Sequence, residues 1–216
     1  MKEIKLKICG MKYEDNMKAV SELEPDYLGF IFYRKSSRFF DTVIPEIPKE
    51  INKTGVFVNA SVEEIIKKVT LYDLQAVQLH GNESPEFCEE LKKRILTPLN
   101  AQVEIIKVFS IKDEFNFDTL KPYEAVVDYF LFDTKGKLPG GNGVTFDWKV
   151  LENYPSKKPF FLSGGIGLET ITKLTDFMKS KASKYCYALD VNSKFEIVPG
   201  LKNIEALKTF KETITT

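Results

Sequence analysis

Several side chains that transfer protons or bind anions stand where short apolar runs of the sequence end. Thiol, imidazole and carboxyl groups are the ones that enzymes use most often to move protons, and a glycine pair lets backbone N–H groups approach a phosphate closely. Taken singly, each position is ordinary, since a lone cysteine is usually a packed core residue. The set in chain order is Cys9, Arg38, Asn59, His80, Ser110, Asp133, Ser163, Gly164, Gly165, Asp190, Asn192 and Ser193.

The apolar runs that precede these positions alternate with helical patterns. This alternation predicts βαβ units and a parallel sheet. An open doubly wound sheet would usually carry a glycine-rich fingerprint after its first strand, but here that strand leads into Cys9, Gly10 and Met11. We therefore predict a single (β/α)8 TIM barrel over residues 1–216, whose active site lies at the carboxyl ends of the strands. The eight predicted strands are 4–9, 27–32, 54–58, 76–79, 103–109, 129–132, 159–162 and 185–191.

Helix signals are uneven along the chain. Ser61 followed by Glu64 forms a capping box after the third strand, and a last helix is expected to start near Asn203. After the second strand, Pro45 and Pro48 predict a short or irregular connection instead of a regular helix.

The amino-acid composition bears on which kinds of molecule the protein binds and on where it is located. Lys+Arg and Asp+Glu both number 31, so net charge gives no reason to expect a nucleic acid or an anionic membrane as partner. The three cysteines are odd in number and lack metal-ligand spacing, which predicts a reducing compartment, with Cys88 and Cys186 as packed residues. No signal peptide or membrane span is expected, so the predicted location is the cytoplasm.

An ordered set of short motifs extends over nearly the whole chain. The set consists of Lys7-Ile8-Cys9-Gly10, Gly29-Phe30-Ile31-Phe32, Ser36-Ser37-Arg38, Gly55-Val56-Phe57-Val58-Asn59, Val77-Gln78-Leu79-His80-Gly81, Leu131-Phe132-Asp133-Thr134, Gly140-Gly141-Asn142-Gly143, Phe146-Asp147-Trp148, Leu162-Ser163-Gly164-Gly165-Ile166, Leu189-Asp190-Val191-Asn192-Ser193 and Pro199-Gly200. With these motifs in this order, the chain resembles the phosphoribosylanthranilate isomerase family of tryptophan biosynthesis. Each motif alone is a weak signal, and the order makes the resemblance specific.

The resemblance implies an Amadori rearrangement of N-(5-phosphoribosyl)anthranilate to an amino-ketose phosphate. This reaction needs a general acid that opens the furanose ring and a general base that removes the proton on carbon two. By resemblance, Cys9 is the base and Asp133 the acid, and neither cofactor nor metal is expected. The base role requires a site that favours the thiolate, and the acid role requires Asp133 to keep its proton near neutral pH.

The resemblance also implies the groups that bind the substrate. Arg38 is expected to bind the anthranilate carboxylate, because its planar fork suits bidentate contacts. The phosphate is expected at Gly164, Gly165, Asn192 and Ser193. His80 and Asp190 are expected to line the pocket or order its loops. After Asp133, a loop with four glycines is expected to close over the substrate, namely Gly136, Gly140, Gly141 and Gly143.

Two departures from the family pattern concern the loops. Ser37 stands where the family usually has proline, which predicts a looser loop. Lys194 stands where the family usually has glycine. If that position needs a left-handed backbone, Lys194 would be strained and phosphate binding weakened.

Two other classes of function compete with this interpretation. Another phosphosugar barrel enzyme is one alternative. Indole-glycerol-phosphate synthase would need a catalytic lysine and carboxylates on early strands, where the first strand offers Cys9. A histidine-pathway isomerase would carry aspartates on the first and fifth strands, and neither is present there. A non-catalytic phosphosugar-binding barrel would not need both Cys9 and Asp133. The expected partner is therefore a small phosphosugar, bound by a monomer or a homodimer.

Overall fold

The computed structural model describes residues 4–95, 103–112, 114–134 and 147–215. Eight parallel strands pair in chain order, and the eighth pairs with the first, so that the sheet closes into a barrel. The strands are β1 Lys5–Cys9, β2 Tyr27–Ile31, β3 Asn52–Phe57, β4 Ala76–Leu79, β5 Glu104–Ile111, β6 Tyr129–Thr134, β7 Phe160–Leu162 and β8 Cys186–Val191. All eight predicted strands are confirmed; β5 and β6 extend two residues further than predicted at their carboxyl ends.

Helices cover only part of the barrel within the described ranges. The α-helices are α1 Glu14–Ser21, α2 Val62–Tyr72, α3 Pro85–Ile95, α4 Ile171–Lys179 and α5 Ile204–Thr215. The connections from β5 to β6 and from β6 to β7 carry short 3-10 helices, Phe117–Tyr123 and Trp148–Asn153. Between β2 and β3 the chain is irregular, as its prolines predicted. None of the helices in these ranges has the length and apolar character needed to cross a membrane.

A predicted cap and a predicted helix start are both confirmed. The Ser61 hydroxyl accepts a hydrogen bond from the Glu64 backbone N–H at 3.2 Å, which starts α2 as predicted. The Asn203 side chain accepts from the N–H of Ala206 at 3.1 Å and starts α5. Such caps satisfy N–H groups that have no partner within their own helix.

The interior of the barrel is apolar, except for a polar layer at the carboxyl ends of the strands. Seven buried residues from six strands form the inner cluster: Tyr27, Ala76, Ile106, Val108, Leu131, Phe161 and Ala188. Successive residues of a strand point to opposite faces, so the side chains of Ala76 and Gln78 on β4, and of His80 directly after it, follow one another toward the carboxyl end. A two-stranded antiparallel hairpin, β9 Glu196–Val198 and β10 Leu201–Lys202, follows β8 at that end.

Candidate active site

One pocket lies at the carboxyl end of the barrel and collects most of the predicted site residues. Its lining includes Cys9, His80, Asp133, Gly164, Gly165, Asp190, Asn192 and Ser193. They come from the ends of β1, β4, β6, β7 and β8, so they are far apart in sequence and adjacent only because the barrel closes. This is the end at which the active sites of (β/α)8 enzymes lie.

Cys9 is the last residue of β1, and its thiol is almost fully buried. Gly29 lies beside it on β2, in register with Cys9. A Cβ atom at Gly29 would lie 2.7 Å from the Cys9 Sγ, so the glycine makes the room that the thiol occupies. The thiol is therefore held in one place by the neighbouring strand.

Burial and charge act in opposite directions on this thiol. Burial raises the pKa of Cys9 above its ordinary value, and the cations Lys7 and Lys202 oppose that rise. The expectation that the site favours the thiolate is therefore not met: Lys7 and Lys202 are in place, but burial prevails and the pKa of Cys9 is raised.

Lys7 is a residue that the sequence analysis missed. It lies on β1 on the same strand face as Cys9, and its Nζ is 2.7 Å from the Asp190 Oδ1 in a fully buried ion pair. Burial works against its charge, but Asp190 and Cys9 prevail and raise the pKa of Lys7, so the ammonium persists. The signal was present in the sequence, because a lysine two positions before Cys9 in a strand must share its face.

Asp133 follows directly on the apolar part of β6 and is 6% exposed. Its Oδ1 accepts from the Thr134 backbone N–H at 2.9 Å. Its Oδ2 lies 3.5 Å from the Nε2 of His80. The predicted acid thus sits in the pocket with one oxygen held by backbone and the other facing the histidine.

Arg38 is paired with a carboxylate of this chain. Its Nε is 2.8 Å from Oε1 of Glu196 and its Nη2 is 2.6 Å from Oε2, so one edge of the guanidinium is occupied by a carboxylate of this chain. Glu196 also accepts from Lys202 Nζ at 2.8 Å, and Lys202 donates to Asn192 Oδ1 at 2.8 Å. No sequence motif pointed to Glu196 or Lys202, since they meet Arg38 only through the hairpin after β8.

The glycine pair has the backbone that a phosphate loop requires. Gly164 and Gly165 both have positive φ, at 90° and 67°, a conformation that favours glycine.

Lys194 also lines the pocket. Its Nζ is 2.5 Å from the Oε1 of Glu169, which ties the loop after β8 to the loop after β7.

The predicted strain at Lys194 is wrong. Lys194 lies in a short 3-10 helix, Ser193–Phe195, and the described non-glycine residues with positive φ are Glu24, Asn59 and Asp73. The position therefore does not need a left-handed backbone in this chain.

The four-glycine loop that was expected to close over the substrate lies outside the described residues. Its glycines are Gly136, Gly140, Gly141 and Gly143.

Comparison with known proteins identifies the family. A family model described as N-(5'-phosphoribosyl)anthranilate isomerase matches residues 6–213. The chain belongs to the phosphoribosylanthranilate isomerase family. An N-(5'-phosphoribosyl)anthranilate isomerase of Parabacteroides distasonis is 41% identical, over 97% of this chain and 92% of its own length.

Solved phosphoribosylanthranilate isomerases have the same barrel. The crystal structure from Thermotoga maritima is 28% identical, with a TM-score of 0.78 and 99% of both chains covered. Another isomerase structure, 27% identical with a TM-score of 0.76 over 99% of both chains, holds reduced 1-(o-carboxyphenylamino)-1-deoxyribulose 5-phosphate. The chain is therefore an isomerase of tryptophan biosynthesis with a TIM-barrel fold.

Proposed function

We propose that Cys9 and Asp133 are the base and the acid of this isomerase. The observation that carries the proposal is that both residues, from the ends of β1 and β6, line one pocket at the carboxyl end of the barrel. The substrate would be N-(5'-phosphoribosyl)anthranilate, in line with the product analogue bound by the solved relative.

The steps assign one proton transfer to each residue. Asp133 donates its proton to the ring oxygen, the bond from that oxygen to carbon one breaks, and the nitrogen lone pair forms the C=N bond of a Schiff base. The Cys9 thiolate then removes the proton from carbon two, and the electron pair moves toward nitrogen to give an enolamine. Tautomerisation of the enolamine gives the ketone. Proton transfers of this kind contribute about 10²- to 10⁴-fold each.

The phosphate would bind between the loops after β7 and β8. Gly164 and Gly165 offer backbone N–H groups there, Asn192 and Ser193 follow β8, and the Lys194 side chain supplies a positive charge. The general phosphate site of (β/α)8 enzymes lies at the same two loops. Arg38 is kept as the group for the anthranilate carboxylate, through the part of its guanidinium that Glu196 does not occupy.

His80 and Asp190 complete the assignment as pocket-lining groups. Asp190 holds Lys7 below the thiol, and His80 faces Asp133. The protein would act as a single barrel domain on a small phosphosugar, as a monomer or a homodimer, in the cytoplasm.

Turnover of freshly prepared N-(5'-phosphoribosyl)anthranilate, followed by the loss of substrate fluorescence, tests the assignment. We expect Cys9→Ala and Asp133→Asn to lower kcat by at least about 10²-fold. Cys88→Ala and Cys186→Ala are matched controls, because both thiols are buried outside the pocket, and kcat is expected to stay near the wild-type value. Near-native turnover by Cys9→Ala or Asp133→Asn would refute the role of that residue.

A further inference from the structure

Gln78 lies directly below His80 on the inner face of β4, and it is 1% exposed. Its Nε2 is 3.1 Å from the Nδ1 of His80. Its Oε1 is buried, and no hydrogen-bond donor reaches it from the part of the chain that the structure describes. A buried amide with one unsatisfied atom is costly, and the hydrogen bond of its Nε2 to His80 offsets only part of that cost.

In the orientation that the Gln78 amide has here, the contact favours one of the two neutral tautomers of His80. An amide nitrogen only donates hydrogen bonds, so the Nδ1 that it contacts must accept. The proton of the neutral imidazole is then on Nε2. That nitrogen is the one 3.5 Å from the Asp133 Oδ2, so its N–H points toward the carboxyl group.

We propose that Gln78 is a positioning residue which holds His80 as its Nε2–H tautomer and so presents a hydrogen-bond donor to Asp133. A donated N–H stabilises the carboxylate that remains after Asp133 has given its proton to the substrate. A separation of 3.5 Å is long for a hydrogen bond, and such contacts commonly shorten when the substrate is bound. The acid role of Asp133 is part of the proposed function, on which this inference rests.

The charged groups around His80 leave Asp133 as its direct partner. Asp133 approaches from β6, and Asp190 lies on β8 within electrostatic range of both. The Asp190 carboxylate is already paired with Lys7 from β1, and Cys9 stands beside that pair. The donor that His80 offers is therefore directed at a carboxylate that lacks a lysine partner among the described residues.

The tautomer can be read directly, because His80 is the only histidine in the sequence. We would record ¹⁵N spectra of untagged, ¹⁵N-histidine-labelled protein across pH, for the wild type, Gln78→Met and Gln78→Glu. The wild type is expected to show the Nε2–H tautomer when neutral, and Gln78→Met a mixture of both tautomers. In Gln78→Glu the new carboxylate accepts from Nδ1–H, so the doubly protonated ring persists to higher pH. This second variant keeps the test available should Gln78→Met fail to fold.

The pH profile of kcat/KM links the tautomer to catalysis. In Gln78→Met we expect a lower plateau of kcat/KM, because the carboxylate that forms on Asp133 in the reaction loses its fixed hydrogen-bond donor. Gln75→Met is the matched control: the side chain of Gln75 binds Lys53 and Asp73 at the opposite end of β4, so neither the spectrum nor the profile is expected to change.

Three results would overturn the inference. They are a wild-type spectrum with the proton on Nδ1, a Gln78→Met spectrum identical to the wild type, and an altered spectrum with an unchanged pH profile. The spectrum does not depend on turnover. A failure of the proposed function, seen as full activity of Asp133→Asn, is thus distinguishable from a failure of the Gln78 contact.

Discussion

Lys7 and Asp190 form an ion pair of 2.7 Å in the barrel interior, with side chains that are 0% and 6% exposed. They are partners in the register between β1 and β8, so the closure of the barrel itself places them side by side. The same lysine opposes the rise that burial imposes on the pKa of Cys9. The pair therefore links the stability of the barrel to the reactivity of its thiol.

Removal of Lys7 alone is expected to be costly. Lys7→Met leaves the Asp190 carboxylate buried without its cation, and such losses destabilise proteins by about 3–5 kcal/mol. The double variant Lys7→Met/Asp190→Asn removes both charges, and we expect it to recover most of the free energy of unfolding in urea but little of the activity. If Lys7→Met unfolded at the same urea concentration as the wild type, the pair would have no role in stability.

The raised pKa of Cys9 predicts the acidic limb of the pH–rate profile. The base must be a thiolate, and a raised pKa delays thiolate formation to higher pH. We therefore expect kcat/KM to rise with pH through the neutral range and beyond. Thiol alkylation by iodoacetamide should increase over the same pH range. An acidic limb that lies below neutral pH would contradict the burial argument.

Glu196 is expected to orient Arg38 for the substrate carboxylate. Because Glu196 holds both Nε and Nη2, Glu196→Gln weakens a charge-assisted pair and lets the arginine move. We expect KM to rise about tenfold with a smaller change in kcat, since one charged hydrogen bond is lost. A lower KM would instead show that Glu196 competes with the substrate carboxylate for Arg38. Glu63→Gln is a suitable control, because Glu63 binds Arg94 at an exposed position away from the pocket.

Lys194 is expected to assist phosphate binding. Strain at this position would have predicted a lower KM for Lys194→Gly, but the backbone there is not left-handed. The variant instead loses a positive charge in the pocket and the tie to Glu169, so we expect KM to rise about threefold to tenfold, as for one exposed charge contact. Inorganic phosphate should inhibit the variant correspondingly less. An unchanged KM would mean that Lys194 does not contact the phosphate.

The site residues at strand ends could be predicted from local features of the sequence. Strand ends are local features, because an apolar run that stops at Cys9, His80 or Asp133 is visible in the sequence. The alternation of strands and helices predicts a parallel sheet, and the lack of a glycine-rich fingerprint after β1 favours its closure into a barrel. These features sufficed to predict which residues meet in the pocket, once the family resemblance had assigned their roles.

Contacts between distant loops were not predictable in the same way. Arg38 and Glu196 are 158 positions apart, and the sequence showed only an arginine that looked free to bind a substrate. Lys194 was judged from the glycine usual at its position, although the turn that this chain forms there does not need one. Both outcomes depend on how loops pack after the barrel has closed.

By itself, the sequence determined the order of the strands, the end of the barrel at which chemistry takes place, and the residues presented there. Only the tertiary structure decided which buried charges and hydrogen bonds surround those residues. Lys7 reaches Cys9 and Asp190, and Gln78 reaches His80, through side-chain contacts in a buried space. Such contacts depend on distances of a few ångströms and on the exclusion of water, which set the strength of a charge or a hydrogen bond. The two-residue spacing in the sequence shows only which side chains share a strand face.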